Sequence, residues 1–409
     1  MRQEVKVVAR TFEVPDNRGM NDDLTILAGK AAGVCYMPDD YMEKGIQDTD
    51  KAMKRAAGTA RNGHHSVFDH GHITFVIKTS KMMAMLLNSI GAYTTSEKSA
   101  RYTVMHPDTE KELYLYDKWS LIIKELILSR YPDMKEREAD KLSIENARYM
   151  ISVFTPTTME YTISFRMVFL VADYLDRLCT SCGKLQDEFS RKVGGEAADL
   201  SRLLRLELGE QRLEDNKNQH FRFLEYQSAG GIVSAKKEVI GDSYTLVYTG
   251  SLAMLAQIQR HRTLRYSMYF DGDPLKFRYF VPAIIRDGGC KEEWLRDMHS
   301  VQYCFPQGLM VRITEQGIFE DFVLKCKERL CGRAQLEVVK NTEGSVRKFI
   351  HDHETLCREN KRLLASITKS ASGEPDAGKM QACARCEFEG FKCTEGCRWG
   401  AGNTLTRLI

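Results

Sequence analysis

The sequence predicts an α+β protein in which strand and helix patterns alternate along the whole chain. Two observations predict it. Short runs with the two-residue period of a strand (VKVVAR at 5–10, HITFVIK at 72–78, YTLVY at 244–248) are each followed by segments with helical spacing. A strand-then-helix pattern also recurs: residues 74–87 (TFVIKTSKMMAMLL) align without gaps on 245–258 (TLVYTGSLAMLAQI), placing Thr74 on Thr245, Val76 on Val247 and Met83 on Met254.

Taken in order, helical spacing is expected over 22–32, 80–90, 115–130 and 140–150, and over a long stretch, 160–205, broken near Gly183 and Gly194. The polar run RLEDNKNQH at 212–220 has linker character. Further helices are expected at 251–262, 315–330 and 333–365. SITKSASGEPDAGK at 366–379 then has the composition of a second linker. These boundaries divide the chain into a first unit at 1–215, a shorter second unit at 216–365 and a cysteine-rich tail at 366–409.

With 409 residues and 43% hydrophobic content, the chain has room for more than one core. Lys plus Arg number 59 against 56 Asp plus Glu, a net charge of +3. That balance argues against nonspecific nucleic-acid binding, so any anion site is local. The charged start MRQEVKVVAR lacks the apolar stretch of a signal peptide, and the longest all-apolar run, MMAMLL, is far too short to span a bilayer. The expectation is a soluble, cytoplasmic protein with no membrane partner. Its twelve cysteines then point to thiols or metal ligands rather than disulfides.

The repeat exposes an asymmetry. An apolar stretch, Ser251 to Ile258, runs into Arg260-His261-Arg262, where two arginines flanking a histidine mark either a solvated helix end or an anion site. In the first half the same register holds the uncharged Ser89-Ile90-Gly91. Just beyond it lies TTSEKSARYT at 94–103, which has no good counterpart in the second half.

These motifs resemble the flavin-dependent thymidylate synthases, whose signature is Arg-His-Arg, two residues, then Ser-x-Asn-Glu-x-Ser-x-Arg-Tyr. The first half keeps the distal part, Glu97-Lys-Ser99-Ala-Arg101-Tyr102, with Ser96 where the family has Asn. The second half keeps Gln257, Arg260, His261 and Arg262. GHHSVFDHGHITF (63–75), ENARYMISVF (145–154) and RLCGRAQLEV (329–338) resemble three further family segments, the first with Asp69 replacing Glu. The resemblance covers roughly 20–180 and 240–340. It implies two fused, diverged units, each a small mixed or antiparallel sheet with long helices.

The family's sites are shared between neighbouring subunits, and the losses in the two halves are complementary. The resemblance therefore implies one retained composite site. Gln257, Arg260, Glu97, Ser99, Arg101 and Arg148 would bind dUMP, and Arg329 would stabilise charge developing on the uracil. Arg260, His261 and Arg262, with Ser66 and Arg166 from the first half, would hold FAD. A methylene would pass from methylenetetrahydrofolate to C5 of dUMP, with reduction through FAD by NADPH. A homodimer would supply the four units of a pseudo-tetramer. Guanidinium forks and a hydroxyl suit the two charges of a nucleoside monophosphate, and a cation beside the uracil edge suits its activated form. Two alternatives stand beside this reading: C5-alkylation of another pyrimidine nucleotide, and a catalytically inactive nucleotide-binding paralogue.

The tail is outside the family pattern. Cys383-x2-Cys386-x6-Cys393-x3-Cys397 has the spacing of a four-thiolate site for Zn²⁺ or an iron–sulfur cluster. Cys179-x-x-Cys182 lies in a helical stretch and reads as two core thiols, with a redox pair as the alternative.

Overall fold

The computed structural model describes residues 2–11, 20–34, 48–61, 65–89, 93–208, 225–228, 231–234, 243–260, 263–270, 273–359, 364–370, 380–388, 391, 393 and 397–409. The runs at 212–220 and 371–379, expected as linkers, lie outside them, as do His261 and Arg262. No helix among the described residues is long and apolar enough to cross a membrane.

The chain forms two compact units, and neither is continuous in sequence. One comprises Met1–Lys98 with Pro156–Phe223, the other Ser99–Thr155 with Leu224–Ile409. Residues 99–155 of the first half and the described residues of the tail cluster with the second half.

In the first unit, β1 (Glu4–Arg10), β2 (His72–Ser80), β3 (Thr94–Glu97) and β4 (Pro156–Ser164) form an antiparallel sheet in the order β1-β2-β4-β3. Alternation along β2 buries Ile73, Phe75 and Ile77 on one face. Residues 160–164 belong to β4 and not to a helix. The run PTTMEYTIS is rich in β-branched residues and alternates, burying Met159, Tyr161 and Ile163. The helix Phe165–Cys182 stops at Gly183 as expected, but Glu188–Leu208 runs straight through Gly194. A Cβ at Gly194 would stand 2.9 Å from Cys182 Cβ, so this glycine permits close helix packing and breaks nothing.

In the second unit, β5 (Glu225–Ser228) and β6 (Gly231–Ser234) form a hairpin. The strands β7 (Ser243–Ser251), β8 (Arg265–Tyr269) and β9 (Met310–Ile318) form an antiparallel sheet in the order β7-β9-β8. The first part of 315–330, expected as helix, is the end of β9; the helix is Phe319–Arg329. The core gathers Tyr244, Leu246, Phe319, Phe322 and Phe349, with Phe322 and Phe349 stacked at 4.6 Å. Inside it Glu315 accepts hydrogen bonds from Tyr244 (2.8 Å), Tyr248 (2.6 Å) and Lys325 (2.5 Å).

The segment 99–155 enters this unit through its own aromatic and backbone contacts. Trp119 packs edge-on against Trp294 at 4.9 Å, and the backbone of 149–153 hydrogen-bonds to 305–308. The tail is equally built in. β10 (Thr368–Ser370) pairs with β11 (Met380–Ala382), and Met380, Cys383 and Phe388 join the core. Part of the stretch expected as linker is therefore strand.

Both aligned segments fold as a strand followed by a short helix. β2 leads into the helix Lys81–Leu87 through Ser80, and β7 leads into Leu252–Ile258 through Ser251. Ser80 Oγ accepts from Met83 N (3.1 Å) and donates to Glu196 (2.5 Å); Ser251 Oγ accepts from Met254 N (3.0 Å) and donates to Glu337 (2.6 Å). In each unit the second long strand, β4 or β9, pairs with a short edge strand, β3 or β8, and is followed by a helix.

Candidate active site

The helix Leu252–Ile258 ends at Gln259, leaving Arg260 exposed at a C-terminus whose dipole favours a cation. Arg329 closes the helix Phe319–Arg329 and donates through Nη2 to the Gln257 carbonyl at 3.4 Å. Gln257 Oε1 and Arg329 Nε are both buried, and neither has a hydrogen-bond partner among the described residues. Burial pushes the Arg329 pKa down, and the charges of Arg101 and Arg260 push the same way. An acceptor and a donor without partners, close to several cations, call for a polar, electron-rich ligand.

The same unit holds a cavity of about 380 Å³, within the usual range for small-molecule sites. Arg101, Lys141, Arg333, Arg398 and Arg407 line it, against the carboxylates of Glu138 and Glu145. Glu145 stands 3.0 Å from Arg101 Nε, and Glu138 stands 3.5 Å from Arg398 Nε. Burial opposes the charge on Arg101, but Glu145 together with Tyr102 and Tyr149 raises its pKa overall. Ser99 Oγ accepts from the Arg101 amide at 3.3 Å and so braces that turn.

Arg148 is buried behind this wall, follows the helix Glu136–Ala147, and anchors a buried chain of polar groups. Its Nη2 donates to Gln335 Oε1, and Gln335 Nε2 donates to the Tyr149 hydroxyl. Tyr149 donates to Glu337 (2.7 Å), which also accepts from Ser251 N (2.8 Å). Burial raises the Glu337 pKa against these hydrogen bonds, and it lowers that of Arg148. Arg101, Arg148, Gln257, Arg260, Arg329 and Ser99 thus share one compact unit although they come from both halves of the chain.

The other expected residues belong to the first unit. Glu97 is held by Lys81 Nζ (2.7 Å) and Asn88 Nδ2 (3.3 Å). Ser66 is exposed, and Arg166 pairs with Asp69 at 2.9 Å, where Ser164 Oγ also donates. His261 and Arg262, the remaining FAD candidates, lie outside the described residues.

Cys383, Cys386 and Cys397 are free thiols, buried or half-buried, and Cys393 is exposed. Burial pushes the Cys383 thiol up to about 11, and neighbouring Cys386 adds to the rise. Among the described residues no three His, Cys, Asp or Glu side chains are arranged to hold a metal ion. Cys179 and Cys182 are also free thiols, and burial raises the pKa of Cys182.

Comparison with known proteins gives this arrangement a family context. Residues 20–180 match the family model of the thymidylate synthase complementing protein. The matched residues include Ser99, Arg101 and Arg148, which belong to the cavity-bearing unit. A search of curated proteins gives no match. Among solved structures, a UMP/dUMP methylase from Streptomyces cacaoi bound with 5-Br dUMP shares 15% identity, covering 42% of this chain and 77% of that one (TM-score 0.29). Two structures of thymidylate synthase X from Helicobacter pylori with FAD and dUMP share 17% and 19% identity. They cover 51% and 50% of this chain and 99% and 94% of theirs, with TM-scores of 0.27 and 0.31.

Sequence reasoning missed Glu145, Glu196 and Arg407. Glu145 stands three positions before Arg148 on a helical segment, a spacing that signals a shared face. Glu196 lies in the helix Glu188–Leu208, far in sequence from the aligned segments 74–87 and 245–258. Arg407 carries no local signal: it stands in TLTRLI, far in sequence from everything it touches.

Proposed function

We propose that the chain transfers a methylene from methylenetetrahydrofolate to C5 of dUMP, with reduction through FAD by NADPH, giving dTMP. The observation that carries this is the buried pair Gln257 Oε1 and Arg329 Nε, in the unit that also holds a cation-lined cavity whose Arg101 acts on the Arg329 charge. A uracil edge offers both a donor and acceptors, and a nucleotide phosphate offers the negative charge. Arg101, Arg148 and Arg260, with Ser99, would hold dUMP through charge-assisted hydrogen bonds. Glu97 is proposed with them as a substrate residue.

Arg329 would stabilise the negative charge that develops on the ring as C5 becomes nucleophilic. In the balanced reaction C5 loses its proton and gains the methylene carbon. Tetrahydrofolate leaves, and two electrons from NADPH convert methylene to methyl. Bound FAD would supply the hydride chemistry. The exposed Arg260 is a cation suited to a dinucleotide's phosphates; His261, Arg262, Ser66 and Arg166 are each proposed as FAD-binding residues.

The paired Ser80–Glu196 and Ser251–Glu337 contacts support descent of the two units from one duplicated ancestor. A homodimer, and hence four units, is proposed as the assembly. The tail thiols are proposed to close on one Zn²⁺ or iron–sulfur cluster, which would draw together groups that otherwise stay protonated.

Ser96, exposed on β3 where the resembled family has Asn, favours a second reading: methylation of a different pyrimidine nucleotide. The test is product formation from dUMP, UMP and dCMP in parallel, with folate, FAD and NADPH. dTMP as the main product supports the first reading; turnover of UMP or dCMP alone supports the second. No product and no bound flavin would leave a nucleotide-binding paralogue.

A further inference from the structure

The cavity wall is gripped from two sides. Arg101 donates to the carbonyl of Arg333 at 2.6 Å, while Arg407, from the tail, donates to the carbonyls of Gly332 (2.6 Å) and Ala334. Two guanidiniums therefore converge on one tripeptide at the cavity, with Arg148 and Glu145 beside them. Arg407 is 5% exposed and lines the cavity, yet its Nε has no hydrogen-bond partner among the described residues. The Nε of Arg148 is buried and lacks a partner in the same sense.

Backbone carbonyls alone would not require a full charge at position 407. The cavity lining carries five cations, Arg101, Lys141, Arg333, Arg398 and Arg407, against the carboxylates of Glu138 and Glu145, a positive excess that suits a phosphate monoester dianion. An arginine this buried is otherwise costly unless an anion completes its surroundings.

We propose that Arg407 is a phosphate-binding residue, which makes the cysteine-rich tail a structural part of the nucleotide site. This rests on the dUMP reading above, and it adds a ligand from a segment with no counterpart in the family pattern. One phosphoryl oxygen would take the Nε donor, with Arg101 meeting the others.

The test measures binding of dUMP, deoxyuridine and inorganic phosphate to the full chain by calorimetry, for the parent, Arg407→Gln and Arg407→Lys. Arg407→Gln should weaken dUMP by about 10- to 100-fold and leave deoxyuridine unchanged. Arg407→Lys, which keeps the charge, should recover part of the loss. Equal weakening of dUMP and deoxyuridine, or no weakening of either, would overturn the proposal by showing that Arg407 only clamps the 332–334 turn. If Arg407→Gln does not fold, Arg407→Lys carries the same comparison, and an unchanged ratio of dUMP to deoxyuridine affinity would overturn it. Phosphate binding that depends on Arg407 in a parent that ignores dUMP would support this anion site while removing the nucleotide reading.

Discussion

Arg329 Nη2 reaches the backbone carbonyl of Gln257 at 3.4 Å, and each side chain keeps a buried polar atom with no partner among the described residues. The contact ties the end of one helix to the end of another and fixes the guanidinium without using up its donors. Arg329→Ala should therefore preserve folding and flavin content but reduce C5 proton exchange by about 100-fold or more. Near-normal exchange in this variant would remove Arg329 from the chemistry.

Glu145 tempers the cluster of Arg101, Arg148 and Arg407. Glu145→Gln should lower stability by about 1–3 kcal/mol, because buried guanidiniums lose their counter-charge. It should also strengthen inorganic phosphate binding. Denaturant unfolding and calorimetry give the two quantities; weaker phosphate binding would show that Glu145 orients the arginines more than it opposes the anion.

The ion pair between Glu315 on β9 and Lys325 on the following helix is fully buried at 2.5 Å. Lys325→Met leaves the Glu315 carboxylate in the core with only tyrosine hydroxyls for partners. It should destabilise the protein by about 3–5 kcal/mol in guanidinium unfolding. A loss below about 1 kcal/mol would mean that Glu315 takes up a proton at little cost.

The tail should carry about one Zn²⁺ or one cluster per chain as purified, measured by elemental analysis and visible absorption. Cys386→Ser should lose it, and unchanged metal content would eliminate the site. Since Met380, Cys383 and Phe388 pack with Phe349, the melt of the second unit should shift as well.

Much of the architecture was legible because its periodicities are strong. The alternation in HITFVIK and YTLVY identified β2 and β7, and the gapless match of 74–87 on 245–258 anticipated a strand followed by a helix at both places. The misreading of 160–164 as helix came from a short strand fused directly to a long helix, where the change of period falls inside one apolar run. The packing of 99–155 with the second half could not be read. It depends on contacts such as Trp119 with Trp294, which local patterning does not encode. Arg101 and Arg148 were found through their motifs, whereas Arg407 becomes visible only once the tail is folded against Gly332 and Ala334.

The central claim is that this unit activates C5 of a uracil nucleotide, and tritium release from C5-labelled dUMP tests it most directly. With methylenetetrahydrofolate, FAD and NADPH, the parent should release tritium to water, and Arg329→Ala should bind the nucleotide without releasing it. No release by a flavin-loaded, dUMP-bound parent would contradict the account.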